Sequence, residues 1–232
     1  MVHQVTLFSD AFSAWENWNL TSFESKSECL LALKKALQKA QPSLASVVSY
    51  HIAQASALLA ETHQLVGPTG ETNELYTAGR GVALIIQDDV SEQAQKSAVA
   101  QLTAALIAGN TVILCSDDVT LSEKLEAAYM QSSLPMNLVQ FAPLDAYHQL
   151  LEQDVRSVGY VGKPEVELNI NRQLAKREGA IVGLVSETDL AALPVALDPH
   201  LSLRFITERT RTINITAVGG NATLLELGSE AH

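Results

Sequence analysis

Basic residues are scarce in this 232-residue chain: 15 Lys and Arg stand against 26 Asp and Glu, a formal net charge of −11. A surface of that sign repels a phosphate backbone, and no basic cluster relieves it, so the sequence predicts no nucleic-acid partner. Cysteine is scarcer still. Cys29 and Cys115 form neither a CxxC pair nor a zinc spacing, which predicts reduced thiols, a cytoplasmic location and no structural metal. No apolar run approaches the roughly 20 residues a spanning helix needs, so no membrane span is expected. The opening MVHQVTLFSDAF has no basic stretch leading into an apolar one, and therefore does not read as a signal peptide. What is present is globular in character: apolar residues make up 47% and charged residues 18%, which argues against disorder.

The first sixty-odd residues read as helical. Ser25 with Glu28 forms a capping box, and Leu30, Leu33, Leu37 and Ala40 recur at helical spacing. Pro42 interrupts this pattern before a second stripe begins at Leu44, which predicts two antiparallel helices. Residues 66–81 are rich in turn formers and read as a connector. From Gly81 onward, short apolar runs alternate with helical patterns. The predicted strands are 82–86, 111–115, 138–141, 157–161 and 180–185, and Gly109-Asn110 closes the first intervening helix as a C-cap. Thr120 with Glu123 predicts the start of the next helix, and 144–153 and 165–178 read as two more. Five such alternations with short connections imply a doubly wound, Rossmann-like α/β sheet. Residues 201–228, rich in Thr, Ile and Val, read as an extended hairpin or projecting flap. The predicted organisation is a helical segment over 1–66, an α/β domain over 67–200 and an extended tail over 201–232.

Such a sheet invites a dinucleotide, but the loop after the first strand reads QDDVSEQ, with no glycine and with Asp88 and Asp89 placed to repel a pyrophosphate. GPTGETN (67–73) lacks the spacing and the Lys-Ser/Thr pair of a P-loop. Asp118, after the second strand, is a candidate ribose ligand or a turn residue, and Gly162 is a candidate phosphate turn. Cys115 ends a buried strand with nothing nearby to lower its pKa, and Cys29 lies beside an apolar face, so neither is expected to be a nucleophile. His51 falls on an apolar stripe. His63, His148 and His200 have no partner at metal-ligand spacing. No catalytic, cofactor or metal residue is therefore assigned. The densest polar cluster is in the tail: Arg204, Glu208, Arg209, Arg211 and Asn214, then Gly219, Gly220 and Asn221. Those residues suit a docking element that adds a strand to another domain or to a second copy.

GRGVALII, ALIAGNTVILCSDD, VRSVGYVGK and GAIVGLVSE, in that order and spacing, resemble the Rossmann half of the aldehyde dehydrogenase superfamily. With GPTGETN ahead of them and ERTRTINITAVGGNATLLELG behind, residues 66–228 resemble the C-terminal module of the long-form proline utilization A family. Enzymes of that family oxidise proline to glutamate through Δ1-pyrroline-5-carboxylate with FAD and NAD. The resemblance implies that family site positions have been replaced. The adenine-ribose lysine falls on Cys115, Pro-Trp-Asn becomes Asp88-Asp89-Val90, and Phe-Thr-Gly-Ser becomes Tyr160-Val161-Gly162-Lys163. The general-base glutamate falls on Leu184, and the domain bearing the nucleophilic cysteine is missing. It implies a fragment of a longer polypeptide, a non-catalytic module with no cofactor of its own. Its partner would be the dehydrogenase domain of the same parent, over whose substrate channel it forms a roof, with homodimerisation through the flap also possible. The alternative is an independent NAD-binding oxidoreductase of the superfamily.

Overall fold

A computed structural model describes residues 2–67 and 70–214, with side chains from Gln4 onward. By contacts the chain divides into a larger unit, Met1–Ala60 with Ala78–Thr207, and a smaller one, Glu61–Thr77 with Glu208–His232.

The larger unit carries a five-stranded, wholly parallel sheet. Its strands are β3 (Val82–Gln87), β4 (Thr111–Ser116), β5 (Val139–Ala142), β6 (Ser157–Val161) and β7 (Gly183–Glu187), in the spatial order β5-β4-β3-β6-β7. The three inner strands β4, β3 and β6 are buried at every position, as expected of strands covered on both faces. Side chains alternate between two cores. Ala83, Ile85, Val112 and Leu114 face one layer with residues of α2 (Phe23–Ala40), α3 (Pro42–Leu59), α4 (Glu92–Ile107) and α5 (Val119–Gln131). Leu84, Ile86, Ile113 and Cys115 face the other, with Ala11 of α1 (Val2–Trp18), Leu150 of α6 (Tyr147–Leu150), and Ile170 and Leu174 of α7 (Pro164–Leu174). Successive crossovers thus cover first one face and then the other, the doubly wound arrangement the alternation predicts. The N-terminal helices, set apart at residue 66 by sequence, share these cores. The Trp18 indole N–H donates to the Leu106 carbonyl at 2.9 Å.

Several elements differ from the sequence reading. The N-terminal region holds three helices, not two. The N-cap of α2 is Ser22, whose hydroxyl accepts from Ser25 N at 3.2 Å, so Ser25 lies inside the first turn instead of preceding it. Pro42 occupies the first turn of α3, where a missing N–H costs nothing. Asp118, not Thr120, caps α5. The helix expected over 144–153 reduces to a 3-10 turn (Leu144–Ala146) and the single turn of α6. Leu201–Phe205 form another 3-10 turn, and extended structure begins only at Ile206.

In the smaller unit, β1 (His63–Leu65), β2 (Glu71–Gly79) and β8 (Ile206–Asn214) order as β1-β2-β8. β2 was hidden within the expected connector. It pairs antiparallel with β1, His63 opposite Leu75. The Glu74 carboxylate accepts from the Arg211 guanidinium and from Gln64 Nε2 at 3.1 Å, and Arg211 lies 5.8 Å from the Tyr76 ring centre. Among the described residues, no helix is long and apolar enough to cross a membrane.

Candidate functional site

In a sheet of this order the strand sequence reverses between β3 and β6, and the crevice beyond their carboxyl ends is where such folds take a ligand. The ends of β3, β4 and β6 there are Gln87-Asp88-Asp89, Ser116-Asp117-Asp118 and Tyr160-Val161-Gly162-Lys163. A nucleotide phosphate would need free N–H groups at the helix starts that face this edge.

The chain caps part of these helix starts itself. At the start of α4, Asp89 Oδ1 accepts from Ser91 N at 2.8 Å, and Ser91 Oγ accepts from Ala94 N at 3.3 Å. Hydrogen bonds from Ser91, side chain then backbone, hold the Asp89 carboxyl below the usual carboxylate range. At the start of α5, Asp118 Oδ1 accepts from Leu121 N at 2.9 Å, and Oδ2 accepts from Gln95 Nε2 at 2.7 Å. A buried polar chain joins the two caps. Gln87 Nε2 donates to Asp89 O, Ser116 Oγ donates to Gln87 Oε1, and Asp118 N donates to Ser116 Oγ, over distances of 2.9, 3.1 and 3.0 Å. Asp118, the sequence candidate for ribose, is 6% exposed and has both oxygens engaged.

The Gly162 turn is occupied in the same way. The Tyr160 hydroxyl accepts from Lys163 N at 2.7 Å, donates to Asp88 Oδ2 at 3.1 Å and lies 3.2 Å from Lys163 O. A Cβ on Gly162 would come within 2.4 Å of that hydroxyl and 2.9 Å of Asp88 Cβ, so glycine is required here for close packing. Burial, then the Asp88 charge, raises the Tyr160 pKa. Cys115 is fully buried, and burial followed by the charges of Asp145 and Asp117 pushes its thiol up, which keeps it protonated. Leu184 is half-buried against the second core.

Of two buried groups beside residues 195–196, sequence reasoning missed Glu187 and placed His51 on its apolar stripe. Glu187, at the end of β7, is 0% exposed; its Oε2 accepts from Val195 N at 2.8 Å and Ala196 N at 3.0 Å, and burial raises its pKa. His51 meets the same segment from α3, with Nε2 3.0 Å from the Ala196 carbonyl, and burial lowers its pKa. The signal for Glu187 was an acid ending an otherwise apolar strand. At the opposite end of the sheet, Asn110 uses all four of its hydrogen-bonding positions. Its Oδ1 accepts from Arg80 N (2.7 Å) and Gly81 N (3.1 Å), and its Nδ2 donates to Ala105 O and Phe205 O (2.9 Å each). Gly109 before it has φ +97°, the left-handed conformation of a helix C′ residue.

The tail cluster is divided. Arg204 lies in the 3-10 turn of the larger unit, 3.8 Å from Asp198. Glu208, Arg209, Arg211 and Asn214 lie on exposed positions of β8. Gly219, Gly220 and Asn221 fall outside the described residues. Among the described residues, no group of three or more His, Cys, Asp or Glu side chains is placed to hold a metal.

No protein-family model matches the chain. The bifunctional protein PutA of Salmonella typhimurium is 32% identical over 167 residues, 71% of this chain. The chain is a homologue of a segment of PutA. It spans only 11% of that protein's length. Among solved structures, PutA from Bradyrhizobium japonicum, in its D779W mutant, superimposes with a TM-score of 0.69 at 24% identity, over 80% of this chain and 22% of that one. PutA from Bdellovibrio bacteriovorus gives 0.70 at 16% identity over the same shares. The 1-pyrroline-5-carboxylate dehydrogenase of Thermus, solved with bound NAD, gives 0.66 at 18% identity over 81% and 42%. These PutA and dehydrogenase structures share the α/β Rossmann-like fold of the chain.

Proposed function

We propose that the chain is a non-catalytic module of a PutA-type proline-catabolic enzyme, one that takes proline to glutamate through Δ1-pyrroline-5-carboxylate with FAD and NAD. In this reading it docks on the dehydrogenase domain of the same polypeptide and helps seal the substrate channel, with β8 as the docking strand. The observation that carries the proposal is the self-occupied crevice. Ser91, itself held by Asp89, and Asp118 each cap one helix N–H, Tyr160 fills the Gly162 turn, and Cys115 is a buried, protonated thiol. With those groups spent, the fold keeps its packing role and lacks the grip a cofactor needs.

Calorimetric titration of the chain with NAD⁺ to millimolar concentration tests the first half, and no saturable heat is expected. Saturable binding would instead favour an independent NAD-dependent oxidoreductase. The docking half is tested in the parent enzyme by Arg209→Glu, a charge reversal at an exposed β8 position. Coupled conversion of proline to NADH should slow while each separate half-reaction keeps its rate. Equal coupling in both proteins would remove β8 from the interface. A flap-mediated homodimer would appear as a concentration-dependent mass in sedimentation, lost in the same variant.

A further inference from the structure

Between β7 and the 3-10 turn that begins at Leu201, residues 188–200 run through turns, with no helix or strand of their own. Three neighbouring side chains grip three consecutive residues of this segment. Glu187 Oε2 accepts from Val195 N and Ala196 N, at 2.8 and 3.0 Å. From α3, His51 Nε2 stands 3.0 Å from the Ala196 carbonyl, and the Tyr50 hydroxyl donates to the Leu197 carbonyl at 3.0 Å. A carbonyl only accepts, so the His51 ring carries its proton on Nε2. Within the segment, Asp189 Oδ1 accepts from Ala191 N at 3.1 Å and from Ala192 N at 3.0 Å.

Two features set this segment apart from the structure beneath it. Leu193 has φ +53°, in the left-handed region where an L side chain is strained, and opening relieves that strain. Ala196 is the only fully buried residue between 188 and 200, while Ala191, Ala192, Pro194 and Leu197 are exposed. Little apolar burial holds the segment down, so Glu187, His51 and Tyr50 hold it, and elements with few buried contacts open first. The residues it covers are sealed: Glu187 is 0% exposed and His51 2%.

Closure has a protonation state. A second ring proton, on Nδ1, puts an imidazolium into this sealed site, where burial disfavours the charge. The surrounding charges do not offset that cost. Asp198, the acid that acts on His51, is shared with His200 at 3.6 Å and Arg204 at 3.8 Å. α4 carries no charge beyond Lys96, and the buried charged residue of α2 is the cation Lys26. Glu187 takes the N–H side of Ala196 and has Asp189 beside it. Burial raises the Glu187 pKa, so its own contribution to closure declines as the pH rises above 4.5 and opposes His51 in acid. Opening in acid thus belongs to the imidazole. We infer that residues 188–200 form an acid-opened strap, closed over α3 and the end of β7 while His51 is neutral and released when that ring takes up its second proton, which uncovers His51 and the Glu187 carboxyl.

The test is amide hydrogen exchange on the full chain, read residue by residue by NMR from pH 7 to 5 and corrected for the intrinsic pH dependence of exchange. Protection at Val195, Ala196 and Leu197 should fall several-fold relative to Ile113 in β4, and at most by about tenfold per pH unit, the limit for one proton. His51→Gln keeps an N–H donor for the Ala196 carbonyl and does not titrate, so its protection should no longer fall in acid. Tyr50→Phe removes a hydrogen bond and no charge; it should lower protection by one constant factor and keep the wild-type slope. In the wild type, the midpoint of the fall should coincide with titration of the His51 ring proton signals, a readout that needs no variant at His51. Flat protection in the wild type, an equal fall at Ile113, or an unchanged slope in His51→Gln overturns the strap.

Discussion

Replacing Asn110 by alanine should be among the most damaging single changes in the molecule. Its side chain is 0% exposed and joins four backbone groups from the β2–β3 junction, the last turn of α4 and the 3-10 turn before β8. Truncation leaves two N–H donors and the Phe205 carbonyl without their partner, while the Ala105 carbonyl keeps the Asn110 N–H at 3.0 Å. A buried group deprived of its partner costs about 1–3 kcal/mol. The Arg80 N–H is less enclosed than that of Gly81, so the sum falls short of three full penalties, and a loss of about 3–5 kcal/mol is expected. For a chain of this size that corresponds to a fall in melting temperature of roughly 6–20 °C. Asn110→Asp sharpens the test, because it keeps the two acceptor bonds and sets an anion against the Ala105 and Phe205 carbonyls. It should cost at least as much as alanine at pH 7 and recover as the pH falls toward 4. Thr111→Val is the control at the next residue: Oγ1 of Thr111 is buried and unpartnered, so its removal should stabilise the fold, by about 1 kcal/mol. Thermal melts followed by circular dichroism measure all three. A loss below about 1 kcal/mol for Asn110→Ala would refute the assignment of Asn110 as the tie between these elements.

Three further outcomes follow from buried titratable groups. Lys26 is 7% exposed, its Nζ 3.4 Å from the Asn19 carbonyl, and burial lowers its pKa to about 8. The unfolded chain therefore holds the extra proton between pH 8 and 10.5, so this group makes stability rise with pH across that window, by an upper bound of order 3 kcal/mol. Urea titrations of the wild type and Lys26→Met at pH 7.5 and 10 should show the difference between the two proteins shrinking at the higher pH; a constant difference would place the ammonium in solvent. His51 has a dependence of the same sign in a lower window. With its folded pKa below 6.5, its contribution to stability is lost as the pH falls through that value, and a slope between pH 7 and 5 that is unchanged in His51→Gln would contradict its burial. Of the two thiols, half-buried Cys29 should react with a disulfide reagent in the native state and Cys115 only on unfolding; prompt modification of Cys115 would remove the argument for a sealed strand end.

The five-stranded sheet was legible because parallel strands covered on both faces must be continuous apolar runs, and VALII and TVILC can be little else. Gly109 was legible as a helix terminator for its backbone freedom. β2 was not. Its residues ETNELYTAG lie mostly half-exposed, with polar side chains on both faces, so neither alternation nor a run marked it, and its partner β8 lies more than 130 residues away. The caps were misplaced for a related reason. Ser25 and Thr120 each stand three residues before a glutamate, whereas the true caps Ser22 and Asp118 stand three before Ser25 and Leu121, so the capping-box pattern pointed past them. That same ambiguity concealed the state of the crevice. Asp118 and Asp89 look alike as ligands or as caps until Gln95, Ser91 and Ser116 are brought beside them by the fold.

A nucleotide-binding sheet ordinarily draws part of its stability from its ligand by mass action, in proportion to the logarithm of ligand concentration over Kd. Asp89 and Asp118 supply from within the chain what a bound phosphate would supply from outside. On this reading the folded population is independent of the nucleotide pool.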